Sequence, residues 1–375
     1  MQTGLEEIRA LRRADRAEHR RLWVGIWLAM LCAFLFALCH RGIGFGFITP
    51  LEALRSVGTF LWLKLAGLFS RAPADGGASL TAALPHYAET VMRFRSALLM
   101  MAGGAALALA GTVYQTAMRN PMAVPTMLGV SSGVNLAQLL LVIEYGSAVY
   151  QLTTTRYIYN YGISIAILLI VLLGGKIAGG KRASVADMLI VGTVVNRLIN
   201  IVVNYLRTEL DTETLTLLQE YSESSYNTYN QFYNLGILVG VSLLLLLPIF
   251  LMRFSYNAAS FEDGDATSLG VRPGAMRVYG LVAGALLTTT AMLHCGNVGV
   301  MALIVPHLCR YLFGADFRRL CWGSAAGGAL LMLVAEIISG FVYFEDYQIP
   351  IGNIVSLAAL PVMVWVMLRE RRGWE

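Results

Sequence analysis

A chain of 375 residues that is 57% hydrophobic and only 14% charged is too apolar to be an ordinary soluble domain, in which about a quarter of the residues are charged. Its formal net charge of +5 comes without the clustered basic face that nucleic-acid binding requires, so no nucleic-acid partner is expected. Apolar runs of about 18 or more residues recur along the chain, and they predict an all-α, polytopic protein embedded in membrane lipid.

The chain begins with a basic arm, residues 1–21, which carries six arginines. The first predicted membrane helix follows at Leu22–Cys39. It is long for the apolar part of a signal peptide and lacks a small-residue cleavage site, so no cleavable signal is expected. Residues 41–95 form a predicted external loop. Within that loop Phe60–Phe69 is apolar but too short to cross a bilayer, which favours an interfacial or re-entrant segment.

Nine further membrane helices are predicted between Ser96 and Leu368. They are Ser96–Thr116, Met127–Tyr145, Ile158–Lys176, Ala186–Leu206, Asn234–Met252, Arg277–His294, Val298–Leu312, Leu320–Phe341 and Gly352–Leu368. Two longer polar segments interrupt them, an acidic, tyrosine-rich loop at 207–233 and a polar loop at 253–276.

The positions of the basic residues orient these ten helices. Basic residues lie mostly in alternate loops, which the positive-inside rule assigns to the cytoplasm. This places both termini and the 253–276 loop inside, and the 207–233 loop outside. We therefore expect a single transmembrane domain over residues 22–375.

The stretch from Gly103 to Gly133 organises the rest of the chain. Small residues recur there every four positions, which lets another backbone approach closely in lipid, where association relies on packing. Pro121 lacks an N–H group and biases Asn120 away from the α region, so the helix should end here. The alternative is an ordinary tight turn between two packed helices.

The loop before the helix at Arg277 suggests a short helix of its own. Acidic residues lead it, as is typical of a helix N-terminus, and Gly270 is a plausible C-cap after Leu269. Such a helix could insert into a groove of a partner protein. The alternative is a solvated loop.

Arg197 lies in the middle of a predicted membrane helix. An arginine near the bilayer centre costs about 2.5–3.5 kcal/mol, so it should face protein or water. Asn196, Asn200 and Asn204 repeat every four residues on one face, which indicates a water-lined or interhelical surface. Arg197 could attract an anionic solute, or it could form a structural pair with Glu336 or Glu144.

Other patterns argue against catalysis by this chain. The stretch Gly175–Arg182 resembles a P-loop but has Arg182 where a Mg²⁺-binding Ser or Thr is needed, so any ATP should be hydrolysed by a partner. The five cysteines have no metal-like spacing, and a shared metal site of His294 and His307 is not expected. No catalytic constellation, metal site or bound cofactor is predicted.

Four stretches together resemble one family. They are GAALALAG…RNPMAVPTMLGVSSG, GDATSLGV, GNVGVMALIVPHLCRYLFGAD and IPIGNIVSLAALPVMVWVML, and they occur in the family's order over residues 93–370. The chain resembles the FecCD-type permease subunits of the ABC importers for iron chelates (siderophores), haem and vitamin B12. The resemblance implies ten helices per subunit, a homodimer or pseudo-dimer, two cytoplasmic ATPase subunits and an external solute-binding protein, in the cytoplasmic (inner) membrane of a bacterium.

The resemblance also implies site residues. Asn120 and Met122 resemble the family's cytoplasmic gate, and Val185 and Ala186 its second constriction. The polar face of their helix, and not the resemblance, adds Asn196, Arg197 and Asn200 to the expected path. The segment that docks in the ATPase would be Glu262–Gly274, with the coupling residues Glu262, Asp263, Gly264, Asp265, Ala266, Leu269, Gly270 and Val271.

The expected docking site of the binding protein departs from the family's pattern. The family's paired arginines appear as Arg93 and Arg95, with the intervening proline lost. The Tyr221–Tyr233 segment offers an alternative docking surface, or an aromatic belt at the membrane interface.

Iron chelate or haem is the expected cargo, with vitamin B12 as the alternative. A secondary transporter would need coupling carboxylates near the midplane, which only Glu336 approaches.

Overall fold

The fold is that of a computed structural model that describes residues 2–40, 47–68, 81–180, 185–223, 231–341, 343–344 and 347–372. The loop residues 41–46 and 69–80, and residues 224–230 of the tyrosine-rich segment, fall outside the described residues. By internal contacts the chain divides into two compact units, Met1–Ala97 and Leu98–Glu375. The single transmembrane domain over 22–375 stays a prediction.

The described chain is almost entirely helical. Its α-helices are α1 Gln2–Cys39, α2 Pro50–Leu68, α3 Tyr87–Ala117, α4 Val130–Tyr145, α5 Thr153–Gly179, α6 Val185–Thr208, α7 Thr212–Glu223, α8 Gln231–Leu251, α9 Arg253–Ala259, α10 Asp263–Ser268, α11 Pro273–Cys295, α12 Met301–Phe313, α13 Phe317–Phe341 and α14 Ile351–Arg372. Two 3₁₀ turns, Pro125–Leu128 and Gly146–Gln151, flank α4. A two-residue antiparallel pair, β1 Tyr343–Phe344 and β2 Tyr347–Gln348, joins α13 to α14.

Ten helices match the ten predicted from hydropathy. Within the described residues, eight helices are long and apolar enough to span a membrane, and the two shorter apolar ones are Met301–Phe313 and Ile351–Val364. The all-α, polytopic fold is therefore confirmed, with each predicted helix found in order. The segment Phe60–Phe69 was predicted too short to span. It falls largely within α2, which is not among the candidate spans.

Several helices begin earlier than predicted, and α1 and α3 do so by the most. Helix α1 is continuous with the basic arm, and α3 begins at Tyr87 instead of Ser96. In α3 the extra turns are polar but well supported, because Arg93 donates to Glu89 at 2.8 Å, one helical turn away. Hydropathy alone therefore places the boundary too late.

The unit Met1–Ala97 is held together by aromatic side chains. Phe94 makes edge-to-face contacts with Phe34 of α1, at 6.1 Å between ring centroids, and with Phe60 of α2, at 6.4 Å. The Arg95 guanidinium lies 5.0 Å from the centroid of the same Phe60 ring. Such contacts fix the start of α3 against α1 and α2 within this unit.

In the unit Leu98–Glu375, small residues of α3 allow two neighbouring backbones to touch it. An added Cβ at Gly104 would lie 2.3 Å from the carbonyl oxygen of Gly328 in α13, and one at Gly111 would lie 1.8 Å from that of Ala302 in α12. The close approach predicted from the four-residue spacing is therefore confirmed. The part of α3 in this unit is therefore in direct backbone contact with α12 and α13.

The chain after α3 turns as Pro121 predicts. Helix α3 ends at Ala117, and Arg119 then adopts a left-handed backbone conformation with φ of 51°. A short 3₁₀ turn follows, and Gly129, with φ of 82°, redirects the chain into α4. A cluster of buried side chains from this turn and helices α3, α5, α6 and α11 fixes it in place, including Tyr114, Leu128 and Leu281.

Candidate gate and coupling site

The predicted coupling loop contains a short helix that is fixed at one point and exposed elsewhere. Helix α10 covers Asp263–Ser268, and Ala266 is its one fully buried residue. Gly270, with φ of 79°, ends it, and its N–H donates to the Thr267 carbonyl at 2.9 Å. Leu269 is 62% exposed. We call Glu262–Val271 the coupling segment.

The predicted gate residues lie in a compact turn, residues 118–123, which we call the RNP loop. The side-chain oxygen of Asn120 accepts a hydrogen bond from the Met122 N–H at 2.9 Å, and the Asn120 N–H donates to the Gln115 carbonyl at 3.1 Å. A side chain that bonds the backbone two residues on stabilises such a turn. Asn120 and Met122 therefore belong to one ordered loop.

The RNP loop and the coupling segment are joined by charged groups. The Arg119 Nε donates to the Ala259 carbonyl at 2.8 Å, and its Nη2 pairs with Asp263 Oδ1. Arg277 of α11 also reaches Asp263 Oδ1, at 3.2 Å, and its Nε donates to the Ala117 carbonyl at 3.3 Å. One carboxylate oxygen thus links the end of α3, the coupling segment and the start of α11.

The charge of Asp263 is set by these neighbours. Partial burial acts to raise its pKa, but the hydrogen bond from Arg119 and the positive charge of Arg277 outweigh it, and the pKa lies below the ordinary value of 3.8. A lowered pKa contributes stability above the ordinary pKa and loses it only as the pH falls through the lowered one. The link is therefore fully charged at neutral pH.

Sequence reasoning did not identify Arg277, Gln115 or Arg310 as parts of this site. Arg310 donates to the Gln115 side-chain oxygen at 3.1 Å, and the Gln115 amide donates to the Leu303 carbonyl at 3.2 Å, which ties the end of α3 to α12. One signal was available for Arg277. A cation near a helix N-terminus opposes the helix dipole and calls for a nearby carboxylate.

Asn196 and Asn200 of the α6 stripe are held at a contact between helices, whereas Asn204 is exposed. Asn196 donates to the Thr126 carbonyl at 3.2 Å, accepts from Ser132 of α4, and accepts from Asn200 at 2.9 Å. Of the two surfaces that the stripe could form, these contacts match the interhelical one. Val185 and Ala186 begin α6, and their side chains fall outside the described residues.

Arg197 is exposed, and among the described residues no ion pair joins it to Glu144 or Glu336. Glu144 instead accepts a hydrogen bond from Tyr159, one turn along the neighbouring helix α5. Arg197 lies midway along the span Asp187–Thr208, roughly 15 Å from either end by helix rise. The structural pair predicted within this chain is therefore wrong, because α6 turns the arginine outward.

The other predicted residues lie apart from this site. Arg93 is paired with Glu89 and Arg95 lies over Phe60, both within the unit Met1–Ala97. Tyr221 was suggested as a docking side chain but is only 4% exposed, since it packs edge-on against Tyr150 and beneath the Arg156 guanidinium. That suggestion is wrong for Tyr221, while Tyr233 is 52% exposed.

The buried Arg156 itself has a structural role. It donates to the carbonyl of Leu293, in the last turn of α11, where carbonyls lack partners within the helix and the dipole is negative. A buried cation at that position satisfies a carbonyl and offsets the dipole.

These features define a polytopic helical membrane protein. Residues 56–369 match the FecCD transport family, and the chain belongs to that family. The family suggested by four sequence motifs is thereby confirmed.

Two relatives and one solved structure illustrate the similarity. The chain is 31% identical over 287 residues to the hemin transport system permease protein HmuU of Yersinia pestis, covering 75% of this chain and 83% of HmuU. It is 28% identical over 329 residues to the Fe(3+) dicitrate transport system permease protein FecC of Escherichia coli, covering 83% and 93%. An inward-facing structure described as a metal-chelate type ABC transporter shares the fold, with a TM-score of 0.64 at 24% identity over 84% of this chain and 99% of that one.

Proposed function

We propose that this chain is the permease subunit of an ATP-driven importer in a bacterial cytoplasmic membrane, which moves an iron chelate or haem by alternating access. ATP would be hydrolysed by two partner subunits, and an external binding protein would deliver the cargo near Arg93 and Arg95. This chain would supply the path and bind no cofactor of its own. Vitamin B12 is the alternative cargo of the same mechanism.

One observation carries the proposal. The coupling segment presents the exposed, apolar Leu269 on a short helix that is fixed through Ala266 and Asp263. An exposed apolar side chain on a rigid support is what insertion into a partner's groove requires. Through Arg119 the same segment is joined to the RNP loop, so a partner that moves the segment can reach Asn120 and Met122.

Purification from native membranes tests the proposal. The tagged chain should bring down an ATPase subunit in a complex with two permease copies. A reporter tag inserted in the 253–276 loop should report the cytoplasm. Recovery of the chain without any ATPase, or an external tag, would count against an importer and favour a secondary transporter.

The surface of α6 supports a second permease copy. Only 11% of its span is buried, the lowest value among the eight described candidate spans. Lipid could cover its apolar residues, but Arg197 at mid-span needs protein or water. We propose that the exposed face of α6 with Arg197 lines a path between two copies, that Asn196 and Asn200 border this path on the side where α6 packs against α4, and that Val185 and Ala186 form its second constriction.

Arg197→Ala is therefore expected to lower the uptake of an anionic iron chelate by about tenfold, or about 1.4 kcal/mol, while assembly is unchanged. The reason is loss of the positive charge at mid-path. Radiolabelled ferric citrate uptake, with expression checked by immunoblot, measures it. Arg207→Ala is the matched control, since Arg207 is an exposed arginine in the last turn of the same helix and should be dispensable. Loss of the dimer in Arg197→Ala would point instead to a structural role.

A further inference from the structure

The junction between the RNP loop and the coupling segment depends on one carboxylate. We propose that Asp263 is a positioning residue that holds the two arginines Arg119 and Arg277 together, so that the RNP loop follows the movement of the coupling segment. The proposal rests on the proposed function only for the partner that moves the coupling segment. The positioning itself is a property of this chain alone.

Two cations converge on the same atom. The Nη2 atoms of Arg119 and Arg277 both contact Asp263 Oδ1, although one belongs to the RNP loop and the other to α11. Like charges this close repel unless a negative charge lies between them. Removing the carboxylate charge therefore leaves a repulsive pair, which is a larger change than the loss of one hydrogen bond.

The RNP loop is built to respond as a unit. Arg119 has a left-handed backbone, which is uncommon for a residue with a side chain, and its guanidinium is fixed at Ala259 and Asp263. The next residue, Asn120, bonds the Met122 N–H. A displacement of the Arg119 side chain therefore acts on the adjacent Asn120 and, through the hydrogen bond of Asn120, on Met122, the two predicted gate residues.

The guanidinium shape matters as well as its charge. Arg119 uses Nε for the Ala259 carbonyl and Nη2 for the carboxylate, two directions at once. A lysine ammonium is a single point charge on a flexible stem and cannot reproduce this fork. Arg119→Lys should thus loosen the loop while it keeps the charge.

Hydrogen exchange of the full-length chain in lipid nanodiscs tests the positioning directly, without any cargo. In Asp263→Asn, the backbone amides of residues 118–123 other than Pro121 should exchange at least about threefold faster than in the unaltered chain. Asp263→Glu, which keeps the charge, should restore slow exchange. Asp265→Asn is the matched control, because Asp265 is an exposed carboxylate of the same short helix whose side chain contacts neither arginine.

Several results would overturn the positioning role. Unchanged exchange at 118–123 in Asp263→Asn would do so, as would the same acceleration in Asp265→Asn. Faster exchange throughout α13 as well would show general destabilisation instead of local positioning. In that case Arg119→Lys provides the second test, and normal exchange at 118–123 in that variant would reject the proposal.

The coupling role is tested in the complex with its ATPase subunits. Trapping the complex with ATP and vanadate should change exchange at 118–123 in the unaltered chain, and this response should be lost in Asp263→Asn although the ATPase still co-purifies. A response that persists in Asp263→Asn rejects the coupling role. If no ATPase co-purifies with the unaltered chain, the proposed function fails, while the nanodisc result on positioning stands by itself.

Discussion

Leu269→Asp is expected to abolish uptake, although the ATPase subunits remain in the complex and still hydrolyse ATP. Leu269 is 62% exposed, so the substitution leaves the folded core of this chain intact, and its effect on stability should stay within about 0.5 kcal/mol. In the proposed complex, however, the same side chain would be buried in a groove of the ATPase. A carboxylate buried there without a partner costs several kcal/mol, which is enough to displace the helix.

The measurement is cargo uptake and ATP hydrolysis in parallel, at matched expression. The expected result for Leu269→Asp is ATP hydrolysis that no longer drives transport, with the ATPase still present on purification. Leu269→Met keeps an apolar side chain of similar volume and should retain uptake. Normal uptake by Leu269→Asp would rule out a buried contact at this position.

Gly104→Ala should strongly destabilise the unit Leu98–Glu375. A methyl group at this position would lie 2.3 Å from the Gly328 carbonyl oxygen and 2.6 Å from the Met332 Cβ. Because the nearest obstacle is backbone, no side-chain rotation relieves it and helices α3 and α13 must separate. We expect a loss of about 3 kcal/mol, the upper part of the usual range for overpacked cores.

Gly240→Ala in α8 is the matched control, since a Cβ there has no neighbour within 4 Å. Replacing an exposed helical glycine by alanine usually stabilises by about 0.5–1 kcal/mol. Thermal unfolding of both variants in the same detergent compares them. Equal unfolding temperatures would show that the contact of α3 with α13 is looser than the structure indicates.

The spans were predictable because a bilayer imposes a minimum apolar length, and that length is a property of the local sequence. Hence all ten helices appear in order, and the Pro121 turn and the Gly270 helix end were both identified correctly. The errors lie where polar residues extend a helix. Helix α3 starts nine residues early, at Tyr87 instead of Ser96, because an Arg93–Glu89 pair supports polar turns that hydropathy excludes.

The direction in which a polar side chain points was less predictable. Arg197 was predicted to face either protein or a path, and only the packing of α6 shows that it points outward. Tyr221 illustrates the opposite case, since it lies in a polar segment and yet is buried beneath Arg156. Neither outcome follows from a local pattern, because each depends on which helices lie beside α6 and α7.

By itself, then, the amino-acid sequence determined the order of the apolar helices, the turn at residues 118–123, the short helix before α11 and the family. The tertiary structure alone decided that Asp263 joins Arg119 and Arg277. Arg119 and Asp263 are 144 residues apart in the chain, and Arg277 is 14 residues beyond Asp263. They meet because α3 packs closely against its neighbours, with α13 at Gly104 and with α12 at Gly111, and no local pattern encodes which charged side chains lie beside its end.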